Sequence, residues 1–125
     1  MSRKLFAFAA IFAILVVLQA QTPKTVTIEG NIIDNACAGA HSKDADFAAR
    51  VKKHATSCAL MDSCVTSGYA VLTSDAKFYK LDQAGNESTE AILRATATKS
   101  GLAVVVEGTI DGDVIKVTKI TEKTK

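Results

Sequence analysis

Two runs rich in apolar residues, Leu102–Ile110 and Val114–Ile120, flank the pair Asp111-Gly112, and this arrangement constrains the fold more than any other stretch of the chain. An Asp-Gly pair between two such runs favours a two-residue hairpin turn, because glycine accepts the positive φ that the turn demands. The last third of the chain therefore contains a β-hairpin. Upstream, Thr25–Asp34 alternates Val26, Ile28 and Ile32 with polar residues, and Gly30 in its middle predicts a bulge or a sharp bend. Gly68–Thr73 and Lys77–Leu81 read as two more strands, joined through Ser74, Asp75 and Ala76. Ser88 is placed to cap a helix over Thr89–Thr98, with Ile92, Leu93 and Thr96 on one side and Gly101 as the C-terminal cap.

The resulting order is strand, long connection, strand, strand, helix, strand, strand. This is the order of an OB-type barrel, a partly open five-stranded Greek-key design. The expected fold is mainly β with short helices: a small five-stranded OB-like β-barrel carrying a helical Cys/His-containing insertion, residues 35–67, between strands 1 and 2. A generic small α+β sheet has the same order of elements and is the alternative. In OB folds the loop between the first two strands, with the face of strands 2 and 3, commonly makes the ligand site.

Residues 1–20 read as a signal peptide. Arg3 and Lys4 precede an uninterrupted apolar run, Leu5–Leu18, and the small residue Ala20 follows. The run is shorter than the roughly 20 residues a helix needs to cross a bilayer, so cleavage after Ala20 is expected. An uncleaved anchor is the competing reading. Cleavage would leave residues 21–125 as a single OB-like domain, secreted or periplasmic, with no membrane span. Loss of Arg3 and Lys4 takes Lys+Arg from 15 to 13, equal to the 13 Asp+Glu. A neutral domain lacks the positive footprint that nucleic-acid binding needs.

Every cysteine and both histidines lie in the stretch from Asp34 to Gly68: Cys37, His41, His54, Cys58 and Cys64. Asp44–Ala55 has helical spacing, with Phe47, Ala48, Val51 and Ala55 on one side and Ser42 or Asp44 as cap. Cys58–Thr66 reads as a second short helix capped by Ser57. Were that helix continuous, Cys58 and Cys64 would stand roughly 10 Å apart on different faces. A disulfide needs Cα atoms within about 7 Å, so Cys37 would have to take one of them; a kink would allow Cys58 with Cys64. Three cysteines leave one over in either case, and an odd thiol in an exported protein is a free ligand, a reactive group or an intermolecular link.

Three chemistries compete for this stretch. In the first, one disulfide among Cys37, Cys58 and Cys64 ties the connection down and the spare thiol is buried. In the second, Cys37-x3-His41 and His54-x3-Cys58, with Met61 or Cys64 as a further donor, hold a soft or borderline ion such as copper or zinc. A continuous helix over His54–Met61 would bring His54, Cys58 and Met61 to one side. The third is a Cys/His nucleophile or thiol redox centre. No C-x-x-C is present, Asp34 and Asp62 read as solvated loop carboxylates, and no residue is assigned a catalytic role. Tyr69, Phe78 and Tyr79 fall on strands 2 and 3, where an aromatic ligand-stacking surface would lie, although packing along the barrel accounts for them as well.

The residues also carry a resemblance. Gly30-x-Ile32-x-Asp34-x-x-Cys37-x3-His41, then His54-x3-Cys58-Ala59-Leu60-Met61-x-x-Cys64-x-x-Ser67-Gly68-Tyr69, resembles an uncharacterised group of small secreted bacterial proteins with an OB-like barrel. The likeness extends through the terminal hairpin. It implies a secreted, OB-like single domain and no particular activity, cofactor or catalytic residue. Many members space the last two cysteines by three residues where this chain has five, so no shared disulfide or metal geometry carries over. The reading these observations favour is a secreted or periplasmic, non-catalytic binding or envelope-associated module for a small ligand or an envelope protein. A copper- or zinc-binding protein is second and a thiol redox protein third.

Overall fold

In the computed structural model, which describes residues 23–124, β1 runs over Thr25–Asp34, the bounds its alternation predicts. Its last three residues, Ile32, Ile33 and Asp34, are all buried, so both faces of this end of the strand are covered. Four short helices follow: α1 (Asn35–His41), α2 (Phe47–Lys52), α3 (Thr56–Ala59) and α4 (Asp62–Ser67). Then come β2 (Tyr69–Thr73), β3 (Phe78–Leu81), α5 (Gln83–Ala95), β4 (Ala103–Asp111) and β5 (Val114–Glu122). Gly112 adopts φ 63° in the turn between the last two strands, as the hairpin signal requires.

These elements make a mixed five-stranded sheet with short helices, and its pairing order, β1-β2-β3-β5-β4, returns from β4 to β1. All neighbours are antiparallel except β3 and β5, which pair in parallel through Lys80 with Val114 and Leu81 with Ile115. Alternation along β1 and β2 divides the apolar residues between two clusters. Ile32, Tyr69 and Val71 join Leu81, Leu93, Leu102, Val104, Val106 and Ile115 in the larger one. Ile33, Ala70 and Leu72 face the other way and meet Ala38 of α1 and Val51 of α2. The second cluster is what holds the helical connection to the sheet. Among the described residues no helix is long and apolar enough to cross a membrane, and residues 1–20, where a signal peptide is expected, lie outside them.

Gly30 marks a bend, not a bulge. β1 pairs with β4 from Thr25 to Asn31 and with β2 from Gly30 to Asp34, so Gly30 sits where the strand passes from one partner to the other. The register shift of the sheet lies instead between Glu107 and Gly108 on β4. A Cβ on Gly30 would press on the Leu72 carbonyl oxygen and stand 2.7 Å from Cγ2 of Val71. Gly30→Ala is expected to cost about 1–3 kcal/mol, as overpacking does at close backbone approaches. Urea denaturation reads this directly, and a loss under about 0.5 kcal/mol would contradict the close approach.

The helices depart furthest from expectation. The helix expected over Asp44–Ala55 shrinks to α2, and an unpredicted helix, α1, precedes it because the Asp34 side chain caps it. The helix expected over Cys58–Thr66 is broken into α3 and α4 by Met61, whose backbone is extended at φ −65°, ψ 144°. Residues on both sides of the break are held by the core: Ala59 belongs to the main cluster, Leu60 packs against it, the Tyr69 hydroxyl donates to the Ala59 carbonyl at 2.8 Å, and Cys64 is buried beyond Met61. α5 starts well before Ser88, because Asp82 is its cap, accepting from the Gly85 amide at 3.0 Å and from the Val117 amide at 3.1 Å. Gly101 does adopt a positive φ, 66°, but the helix has already ended at Ala95, and the Gly101 amide donates to the His54 carbonyl at 2.9 Å.

Candidate functional site

Asp34 is the residue on which the site is built. It ends β1 with none of its surface exposed. One carboxylate oxygen, Oδ1, accepts from the Cys37 amide at 2.8 Å and so starts α1; the other, Oδ2, lies 2.7 Å from Nε2 of His54. Burial pushes the carboxyl up, but the Cys37 amide, the His54 ring and the Cys64 thiol together outweigh it, so Asp34 sits below the ordinary carboxylate value. It is therefore an anion at neutral pH. The solvated role that its place in a polar loop implies is wrong for Asp34, while Asp62 is exposed as expected.

A second set of bonds stitches the start of α1 to the end of α4. The Asn35 side-chain amide donates to the Ser67 carbonyl at 2.9 Å, the Ala36 amide donates to Ser67 Oγ at 3.1 Å, and the Asn35 backbone amide donates to the Gly68 carbonyl at 2.9 Å. Gly68, at φ 76°, makes the turn from α4 into β2. Cys37 on α1 and Cys64 on α4 are brought together by this stitch. Cys58 on α3 joins them, because the break at Met61 turns α3 back across α4.

The three sulfur atoms lie within 4.8 Å of one another, and the same limit holds for a donor atom each of Asp34, Cys37 and His54. Cys37 belongs to both groups. Its Sγ is 3.9 Å from Sγ of Cys58, a thiol–thiol contact well beyond the roughly 2.05 Å of a disulfide. No pair is at bonding distance, and all three cysteines are free. Burial pushes the Cys37 thiol up to about 12, with the Asp34 carboxylate and the Cys58 thiol adding to the effect. Burial also raises Cys64, again with Asp34 as the next cause. Without an ion or an oxidant these two are protonated thiols, which removes the low-pKa thiolate that a cysteine nucleophile requires.

Not every residue singled out from the sequence comes to the cluster. His41 turns to Asp44 at 2.9 Å and belongs to neither group of converging donors, and Met61 is 57% exposed. Tyr69 is 1% exposed and is a core residue, so the aromatic surface loses its first member. Phe78 packs against Phe47 at 6.3 Å between ring centroids, and Tyr79 packs against the main cluster. Those two rings lie on opposite faces of β3 and form no shared platform. A cavity of about 440 Å³ opens beside the sulfurs, with Cys37, Cys58 and both histidines, His41 and His54, in its wall, Ile33, Ala49 and Ala55 as its apolar lining, and Asp46, Arg50 and Lys53 also bordering it.

No family model, curated protein or solved structure matches this chain. The site must be read from its own chemistry. Sulfur, imidazole and carboxylate donors converging within a few ångströms can hold a metal ion. Asp34 and Ser67 are the residues that reading the sequence missed as part of the site. The spacing Asp34-x-x-Cys37 was the available signal for the first, since an aspartate three residues before an amide it caps is an N-terminus signature.

Proposed function

We propose that this protein is an exported OB-type domain that binds one soft or borderline metal ion through Cys37, Cys58 and Cys64. The observation that carries the reading is the convergence of all three sulfurs within 4.8 Å. In a tetrahedral zinc site with bonds of about 2.3 Å the sulfurs stand roughly 3.8 Å apart, close to the 3.9 Å between Cys37 and Cys58. Asp34 and His54 gather about Cys37 alone, so the fourth position would go to water or to His54 after a shift toward Cys58 and Cys64. The His54 ring meets Asp34 through Nε2, which leaves Nδ1 for an ion, and metal-bound imidazoles commonly hold a carboxylate in this way. The apolar run Leu5–Leu18 supports export, and the strand order with α5 between β3 and β4 supports the OB assignment.

Zinc and copper(I) both suit three thiolates. The test is titration of the reduced protein with zinc against a chromophoric chelator, and with copper(I) under exclusion of oxygen. One ion per chain is expected, with a dissociation constant below about 1 µM and a thermal midpoint that rises with free ion. Because Cys37 and Cys64 hold their protons until the ion arrives, affinity is expected to climb as pH rises. Absence of stoichiometric binding of either ion would sink the reading.

A further inference from the structure

The three sulfurs differ in access. Cys37 and Cys58 border the cavity and are half-buried, whereas Cys64 is 5% exposed and is absent from the cavity wall. Cys37 and Cys58 also make the close sulfur contact, 3.9 Å. They lie on different short helices, α1 and α3, joined by a connection that includes the exposed segment from Ser42 to Asp46. To bond, the two sulfurs would have to close from 3.9 Å to roughly 2.05 Å.

We infer that Cys37 and Cys58 form a redox pair which, on meeting a small disulfide in the cavity, closes into a Cys37–Cys58 disulfide and empties the metal site, leaving Cys64 reduced. This rests on the metal reading, since it is the regulation of that same site. In the first step one cysteine of the pair, held as a thiolate by the bound ion, attacks a sulfur of the small disulfide, and one small thiolate leaves. In the second, the other cysteine attacks the sulfur now carried by its neighbour and expels the second small thiolate. Two electrons pass from the protein pair to the small disulfide, and the two small thiolates that leave take up protons from solvent, the cysteines having released theirs when the ion bound. The ion keeps its charge and loses two of its three sulfur donors. Cys64 alone, with the hard carboxylate and the imidazole, is a poor site for a soft ion.

Incubation of the reduced, zinc-loaded protein with oxidised glutathione, then alkylation and peptide mapping, tests the pairing. Zinc titration before and after tests its consequence. The expected result is a Cys37–Cys58 linkage with Cys64 alkylated, and zinc affinity weakened by at least about 100-fold and restored by reductant. Cys64→Ser should form the same linkage, and Cys58→Ser should form none between Cys37 and Cys64. Circular dichroism should show the cross-linked protein still folded. A bond involving Cys64, three thiols still free, unchanged zinc affinity in the cross-linked protein, or release by unfolding would each overturn the inference. Reduced protein that takes up no zinc strikes the metal reading, and release falls with it. Wrong pairing strikes this inference alone.

Discussion

Replacing Asp34 by alanine is expected to lower the unfolding free energy by about 3–5 kcal/mol, a large part of the roughly 5–15 kcal/mol typical of a single domain. The side chain is wholly buried and serves several partners at once. Its loss removes the cap of α1, worth about 1 kcal/mol by itself. It also strands the Cys37 amide and the His54 ring, which has only 11% of its side chain exposed and little water to turn to. Each buried group left without its partner costs about 1–3 kcal/mol. Asp34→Asn separates the two effects, because asparagine caps a helix as well as aspartate but carries no charge; its loss should be about half as large. Urea denaturation of the metal-free, reduced protein measures both. A loss under about 1 kcal/mol for the alanine variant would mean that the Asp34–His54 contact does not hold α1 and α3 in place.

Replacing Cys64 by serine is expected to weaken zinc binding by about 100-fold, while the metal-free protein keeps its fold. Structural zinc sites bind with about 10–16 kcal/mol shared among four ligands, so one ligand accounts for roughly 3 kcal/mol. Serine matches the thiol closely in size but offers a hard, protonated oxygen in place of a soft thiolate. The comparison that gives this weight is with His41→Ala and Met61→Ala. Both residues are credible ligands by spacing, yet His41 is engaged with Asp44 and Met61 is largely exposed, so affinity should change less than about twofold in either. Competition titration against a chelator reads all three variants. Equal losses at Met61 and Cys64 would mean that the ion sits elsewhere on the helical connection.

The strands were legible because their signals are local. The Asp111-Gly112 turn, the alternation of β1 and the position of Gly30 all follow from backbone geometry within a few residues; the structure returns β1 with its expected bounds and the two hairpin strands with ends shifted by one or two residues. Concentration of the sulfurs and imidazoles in one connection was equally plain. The helices of that connection were not, because each is only four to seven residues long. A helix that short is marginal in isolation and takes its limits from what it is packed against.

Sequence alone therefore determined the order of strands and the stretch that holds every sulfur of the cysteines and both imidazoles. Only the tertiary structure decided which donors meet. Helical periodicity put His54, Cys58 and Met61 on one side and drove Cys58 away from Cys64; the start of α3 at Thr56 leaves His54 outside the helix, and the break at Met61 brings Cys58 back to Cys64. That break depends on Tyr69 reaching Ala59 and on Ser67 binding α1, contacts between residues far enough apart in the chain that no local pattern announces them. Asp34 gives the same lesson. Its carboxylate looks solvated in one dimension and is the buried hub in three, because burial and pairing are properties of the assembled core and not of the residue.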